Sequence, residues 1–111
     1  MPIFITYASY SHVGVKGMLK KPEDRTAPVR ALLKKAGGKL LAFYITTGEN
    51  DVVAISEAPD TTDAVAISMA VAASGAVSRV HTVQAWKAKD FAAITKKAAK
   101  LTGAYTPPGG K

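Results

Sequence analysis

GGKLLAFYITTGENDVVAI, residues 37–55, carries most of the architecture of this chain in one stretch. Two glycines stop a preceding helix, because the left-handed backbone of a helix end suits a residue without a Cβ. An apolar run follows from Leu40 to Ile45, then the four-residue turn Gly48-Glu49-Asn50-Asp51, then a second β-branched run from Val52 to Ile55. Together they spell a β-hairpin fed by a helix. Both faces of the first run are apolar, since Leu40, Ala42 and Tyr44 alternate with Leu41, Phe43 and Ile45. A strand apolar on both sides needs cover on both sides. The helices of one small domain cover one face, so the hairpin also predicts a partner sheet.

Working outward, Ile3 to Tyr10 is rich in β-branched and aromatic residues and reads as a strand, broken by Ser11-His12-Val13-Gly14. Val15 to Pro22 allows a short helical turn. A helix from Thr26, the expected N-cap, to Ala36 presents Val29, Leu32, Leu33 and Ala36 as one buried stripe. Lys34 and Lys35 sit where the helix dipole favours cations. Beyond the hairpin, Pro59 ends the third strand and Asp60, or a threonine after it, caps a helix to about Ala73. From Ala64 to Ala73 that helix carries no charge and is apolar nearly all round, which predicts a subunit contact. After Gly75, Val77 to Trp86 reads as a fourth strand with Arg79, His81, Val83 and Ala85 on one face. A last helix, about Asp90 to Leu101, shows a narrow apolar stripe of Phe91, Ile94, Ala98 and Leu101, and Gly103 ends it.

The order strand, helix, strand, strand, helix, strand, helix is an α+β, ferredoxin-like βαββαβ pattern with an added C-terminal helix. Residues 1–104 form a single domain and residues 105–111 a Pro/Gly-rich tail. Sheet-to-sheet packing of two copies would give a dimeric α+β barrel.

Composition sets outer limits. A chain of 111 residues that is 48% hydrophobic fits one domain. With no cysteine there is no disulfide framework, thiol nucleophile or thiolate metal site. The uncharged run Ala64 to Ala73 is far shorter than the roughly 20 residues that cross a bilayer, so a cytoplasmic protein without a membrane partner is expected. The net charge is +7, and residues 79–111 hold seven Lys/Arg against one Asp/Glu. Lys96, Lys97 and Lys100 could meet an anionic partner, nucleic acid included. The absence of interleaved aromatic rings favours a solvated lysine face instead.

Candidate chemistry is sparse. His81, mid-strand among alternating residues, could act as a general base or anchor a polar ligand with Tyr7, Tyr44 or Asp51. His12 reads as a loop residue. Two histidines far apart in sequence lack any local metal-ligand spacing, so no metal site is expected, and nothing names a cofactor. The serines lack a nucleophile elbow, and neither glycine cluster opens a helix as a phosphate cradle does. Tyr7, Tyr10 and Tyr44 with Phe4 and Phe43 could line a space suited to a flat organic molecule.

With its elements placed, the chain resembles the GYD-domain family, small bacterial proteins named for a glycine-tyrosine-aspartate motif at the central hairpin. The resemblance rests on Ser9-Tyr10 with Gly14-Val15-Lys16-Gly17, Gly37-Gly38-Lys39-Leu40 through Phe43-Tyr44, Gly48 with Asp51-Val52-Val53, and Glu57-Ala58-Pro59-Asp60. Ala72-Ala73-Ser74-Gly75-Ala76-Val77 and Gly103-Ala104-Tyr105 with Pro107-Pro108-Gly109 complete it. It implies a dimeric α+β barrel and no established activity. In the naming motif this chain reads Gly48-Glu49-Asn50-Asp51, with asparagine where tyrosine is expected, so no role of that ring carries over. The expected function is a small oligomeric barrel that binds a small ligand or acts as an interaction module. The alternative is a cofactor-free enzyme acting on a small organic or aromatic substrate in the barrel cavity.

Overall fold

The computed structural model describes residues 1–110. Its elements are β1 (Ile3–Tyr10), α1 (His12–Lys20), α2 (Thr26–Lys35), β2 (Lys39–Ile45), β3 (Val52–Glu57), α3 (Thr61–Ala73), β4 (Val77–Ala85) and α4 (Ala88–Leu101), closed by a 3₁₀ turn, Thr102–Ala104. The four strands form one sheet in the order β2-β3-β1-β4, every pairing antiparallel, which is the ferredoxin-like arrangement. Lys111, the last residue of the expected tail, lies outside the described residues.

Local chemistry explains where the elements begin. The break expected at residues 11–14 is instead the start of a nine-residue helix, because the Ser11 hydroxyl oxygen accepts from the Gly14 N–H at 3.0 Å and caps α1. Ser11 also ties this cap to the entry of β4, its N–H donating to the Ala76 carbonyl at 2.9 Å and its hydroxyl to that of Gly75. Gly14 is buried there, with no room for a Cβ beside the Ala76 carbonyl. Thr26 is the first residue of α2 and not its cap. Arg25 holds the cap position without a side-chain bond, and Asp24 just before it accepts from the Thr26 N–H at 2.9 Å and its hydroxyl at 2.6 Å. Asp60 caps α3 as its position suggests, accepting from the Asp63 N–H at 3.1 Å.

The hairpin departs from strict alternation. The β2–β3 register shifts between Leu40 and Ala42, a bulge that sets Leu40 with Phe43 toward the helices and leaves Ala42 and Tyr44 on the opposite face. The connection spans six residues rather than four, Thr46 to Asp51, closed by the Thr46 N–H on the Asp51 carbonyl at 2.8 Å. Gly48 takes the left-handed conformation in it, φ +96°; Asn50 does not.

On one face of the sheet α2 packs over β2 and α3 over β4. Phe4, Ala58 and Ala64 form the most enclosed cluster, beside a cleft of about 320 Å³ between helices and sheet, lined by Leu33, Phe43, Ala54 and Ile67 among others. Among the described residues no helix packs across the opposite face, where Tyr44 and Val83 stay exposed. α4 starts two residues before the expected Asp90, and none of its residues is buried. It projects from the domain and gives a radius of gyration of 18.0 Å, where a compact chain of this length has about 13 Å.

Candidate functional site

The uncovered sheet face is built by register. Residues directly opposite each other in an antiparallel pair point to the same side. Tyr44 stands opposite Val53, Val53 opposite Tyr7, and Tyr7 opposite His81, so these four form one row across all four strands. The next row is Ala42, Ile55, Ile5 and Val83, an apolar floor. On the other side of the polar row, Ser9 stands opposite Arg79.

Within the row, Tyr7 and His81 are in ring-to-ring reach, with centroids 6.4 Å apart and planes tilted by 45°. Tyr44 lies in the same row but two strands from Tyr7, at about 4.8 Å per strand, so Val53 separates the two hydroxyl-bearing rings. Asp51 belongs to a different arrangement. Its carboxylate accepts from the Tyr10 N–H at 2.9 Å, and its own N–H donates to the Ala8 carbonyl at 2.9 Å, pinning the hairpin loop over the end of β1. Of the four residues singled out from sequence, the fold therefore brings Tyr7 and His81 together, keeps Tyr44 in line with them, and engages Asp51 elsewhere. His12 is the exposed first residue of α1.

Sequence reasoning passed over Arg79 as a binding group. Its guanidinium donates to the Asn50 side-chain carbonyl at 3.0 Å and the Glu49 carboxylate at 3.3 Å, while Ser9 donates to the Glu49 carbonyl at 3.1 Å. The loop that departs from the family motif is thus held to β4 through the asparagine itself. The available signal was strand alternation, which sets Arg79 on the same face as His81. Arg79, His81 and Tyr7 make a cationic and hydrogen-bonding end to an otherwise apolar surface. That combination can hold a small molecule with an apolar body and a negatively charged group.

The helix side of the sheet offers less chemistry. Thr6, Thr82 and Ser68 satisfy one another in a hydroxyl chain, with contacts of 3.0 and 2.9 Å. Tyr10 lies at the cleft margin, where burial raises its phenol pKa and Arg25 partly offsets the rise, so its hydroxyl stays protonated. Among the described residues, no three His, Asp or Glu side chains converge to cage a metal ion. No helix there is long and apolar enough to cross a membrane.

The GYD domain matches residues 4–95, from the first strand into α4. The chain belongs to the GYD domain family. No curated protein matches it. The match ends at residue 95, within α4 of this GYD domain.

Proposed function

We propose that this GYD domain is a self-associating binding module, in which the open sheet faces of two copies enclose a small organic carboxylate with an apolar or aromatic body. The observation that carries this reading is the layout of the open face: a floor of Ile5, Ile55 and Val83 bordered by Tyr7, His81 and Arg79. Ile5 and Ile55 are already half-buried without any element covering them, and sheet pairing would complete their burial. Arg79, tied to the loop through Glu49 and Asn50, keeps its Nε–H and one Nη1–H to supply the charge-assisted hydrogen bonds a carboxylate needs.

The chain has two histidines, His12 and His81, so imidazole NMR signals separate the site from the remainder of the surface. Titrating benzoate into the full chain is expected to move the His81 signals saturably and leave those of His12 in place. Arg79→Ala should weaken that binding by about tenfold or more, the size of one hydrogen bond to a charged group. Absence of a saturable His81 shift would remove the reading.

The contact between Tyr7 and His81 favours a second reading, a cofactor-free enzyme with His81 as general base. Its imidazole lies on the open face and not beneath the helices, as such a role requires. Turnover of a carboxylate that binds, lost in His81→Gln with binding retained, would support it; binding without turnover would exclude it.

A further inference from the structure

Besides the open sheet face, two apolar surfaces lie largely uncovered among the described residues. One is the stripe of α4, where Phe91 is 44% and Leu101 65% exposed and Ile94 and Ala98 lie between them. The other is a groove of about 440 Å³ between α3 and β4, lined by Val65, Ser68, Met69, Ala72, Val80 and Gln84. Val65 and Met69 stand 52% and 67% exposed on its α3 wall. α3 has 13 residues and α4 has 14, so the two helices are matched in length at about 20 Å.

We infer that α4 is an exchanged arm, whose apolar stripe seats in the α3–β4 groove of a second copy of this chain. The area argues for a second copy. The chain exposes 7987 Å², about 2,100 Å² more than a folded monomer of 11.6 kDa is expected to expose. Covering that excess on each of two copies removes about 4,000 Å², inside the range of obligate homodimers. The start of α4 argues against the copy's own groove. Only Trp86 and Lys87 join β4 to α4, Lys87 in an extended conformation, and α4 leaves the domain instead of folding back on it, which gives the molecule a length of 60 Å. The groove lies on the helix side of the sheet, so this contact stands independently of pairing between open faces.

Trp86, the single tryptophan, reports on the arm because its ring meets Phe91 edge-on at 5.9 Å and is 49% exposed in the isolated chain. Sedimentation and Trp86 emission of the full chain are to be compared with Phe91→Asp/Ile94→Asp on the arm, Met69→Asp in the groove and Val53→Lys on the open face. Arm and groove variants should each weaken association at least tenfold and shift Trp86 emission to longer wavelength, and combining them should add little. Leu101→Asp repeats the test at the exposed far end of α4, where folding of the sheet is not at stake, and circular dichroism checks that the strands persist. The inference is overturned if arm variants associate as the unmodified chain does, or if that chain is a monomer with buried Trp86. Loss of association in Val53→Lys alone would leave sheet pairing standing and remove the arm. Loss in the arm and groove variants alone would do the reverse.

Discussion

The Asp24 carboxylate accepts two hydrogen bonds from Thr26, first in importance the hydroxyl and then the backbone N–H, and both hold its pKa below the ordinary value. A carboxyl group whose folded pKa is lowered stabilises the fold above its unfolded pKa, near 3.9, and loses that contribution as pH falls through the folded value. Asp24→Ala should therefore lower the thermal midpoint at pH 7, and the difference from the unmodified chain should be smaller at pH 2. An equal difference at both pH values would mean that Asp24 acts through packing. Gly14 poses a steric question instead. A methyl group there meets the Ala76 carbonyl, so Gly14→Ala should cost about 1–3 kcal/mol in a denaturant titration by forcing α1 away from the entry to β4. Gly17, three residues on in the same helix, has open space around it and should accept alanine without loss.

The helix layer and the sheet leave a cleft between them, and its lining is mostly apolar. Ala54, on β3 opposite Thr6 and Phe43, is with Ala8 of β1 the smallest side chain that the sheet directs toward that space. Ala54→Val should raise stability by about 0.5–2 kcal/mol, since it adds apolar volume and a strand-favouring residue together. A lower denaturation midpoint would show that helices and sheet already close on one another in solution. At this scale much was legible from sequence. Periodicity gave the four strands, α2, α3 and α4, because each signal is local to its own residues. The bulge at Leu41 was not legible, since Leu40-Leu41-Ala42 offers no polar residue to mark the slip. α1 was legible only as a short turn from Val15, since the Ser11 that caps it is held in place by residues 75–76, brought close only by the fold. The candidate site divides the same way: alternation set His81 and Arg79 on one face, but the Tyr7–His81 pairing needs the β1–β4 register, and Arg79 is completed by a loop 29 and 30 residues away.

The molecule as a whole carries a net charge of +7, so two copies repel each other at long range. An apolar contact between them should tighten as salt shortens the Debye length from about 10 Å at 0.1 M to about 3 Å at 1 M. Docking of Lys96, Lys97 and Lys100 on nucleic acid would weaken steeply over the same range. Sedimentation and DNA retention at the two salt concentrations separate these cases, and the expected result is tighter self-association with no salt-sensitive retention. The strand order has a consequence in time as well as in space. β1 is made first but lies between β3 and β4, and its Thr6 hydroxyl meets a partner 76 residues later in the chain. During synthesis the β1–β3 pair can close early, while the other side of β1 stays bare until β4 emerges, roughly 1–6 s later at about 5–20 residues per second. For that interval the nascent protein displays its central strand as an open edge. The last strand to leave the ribosome is the one that seals the first.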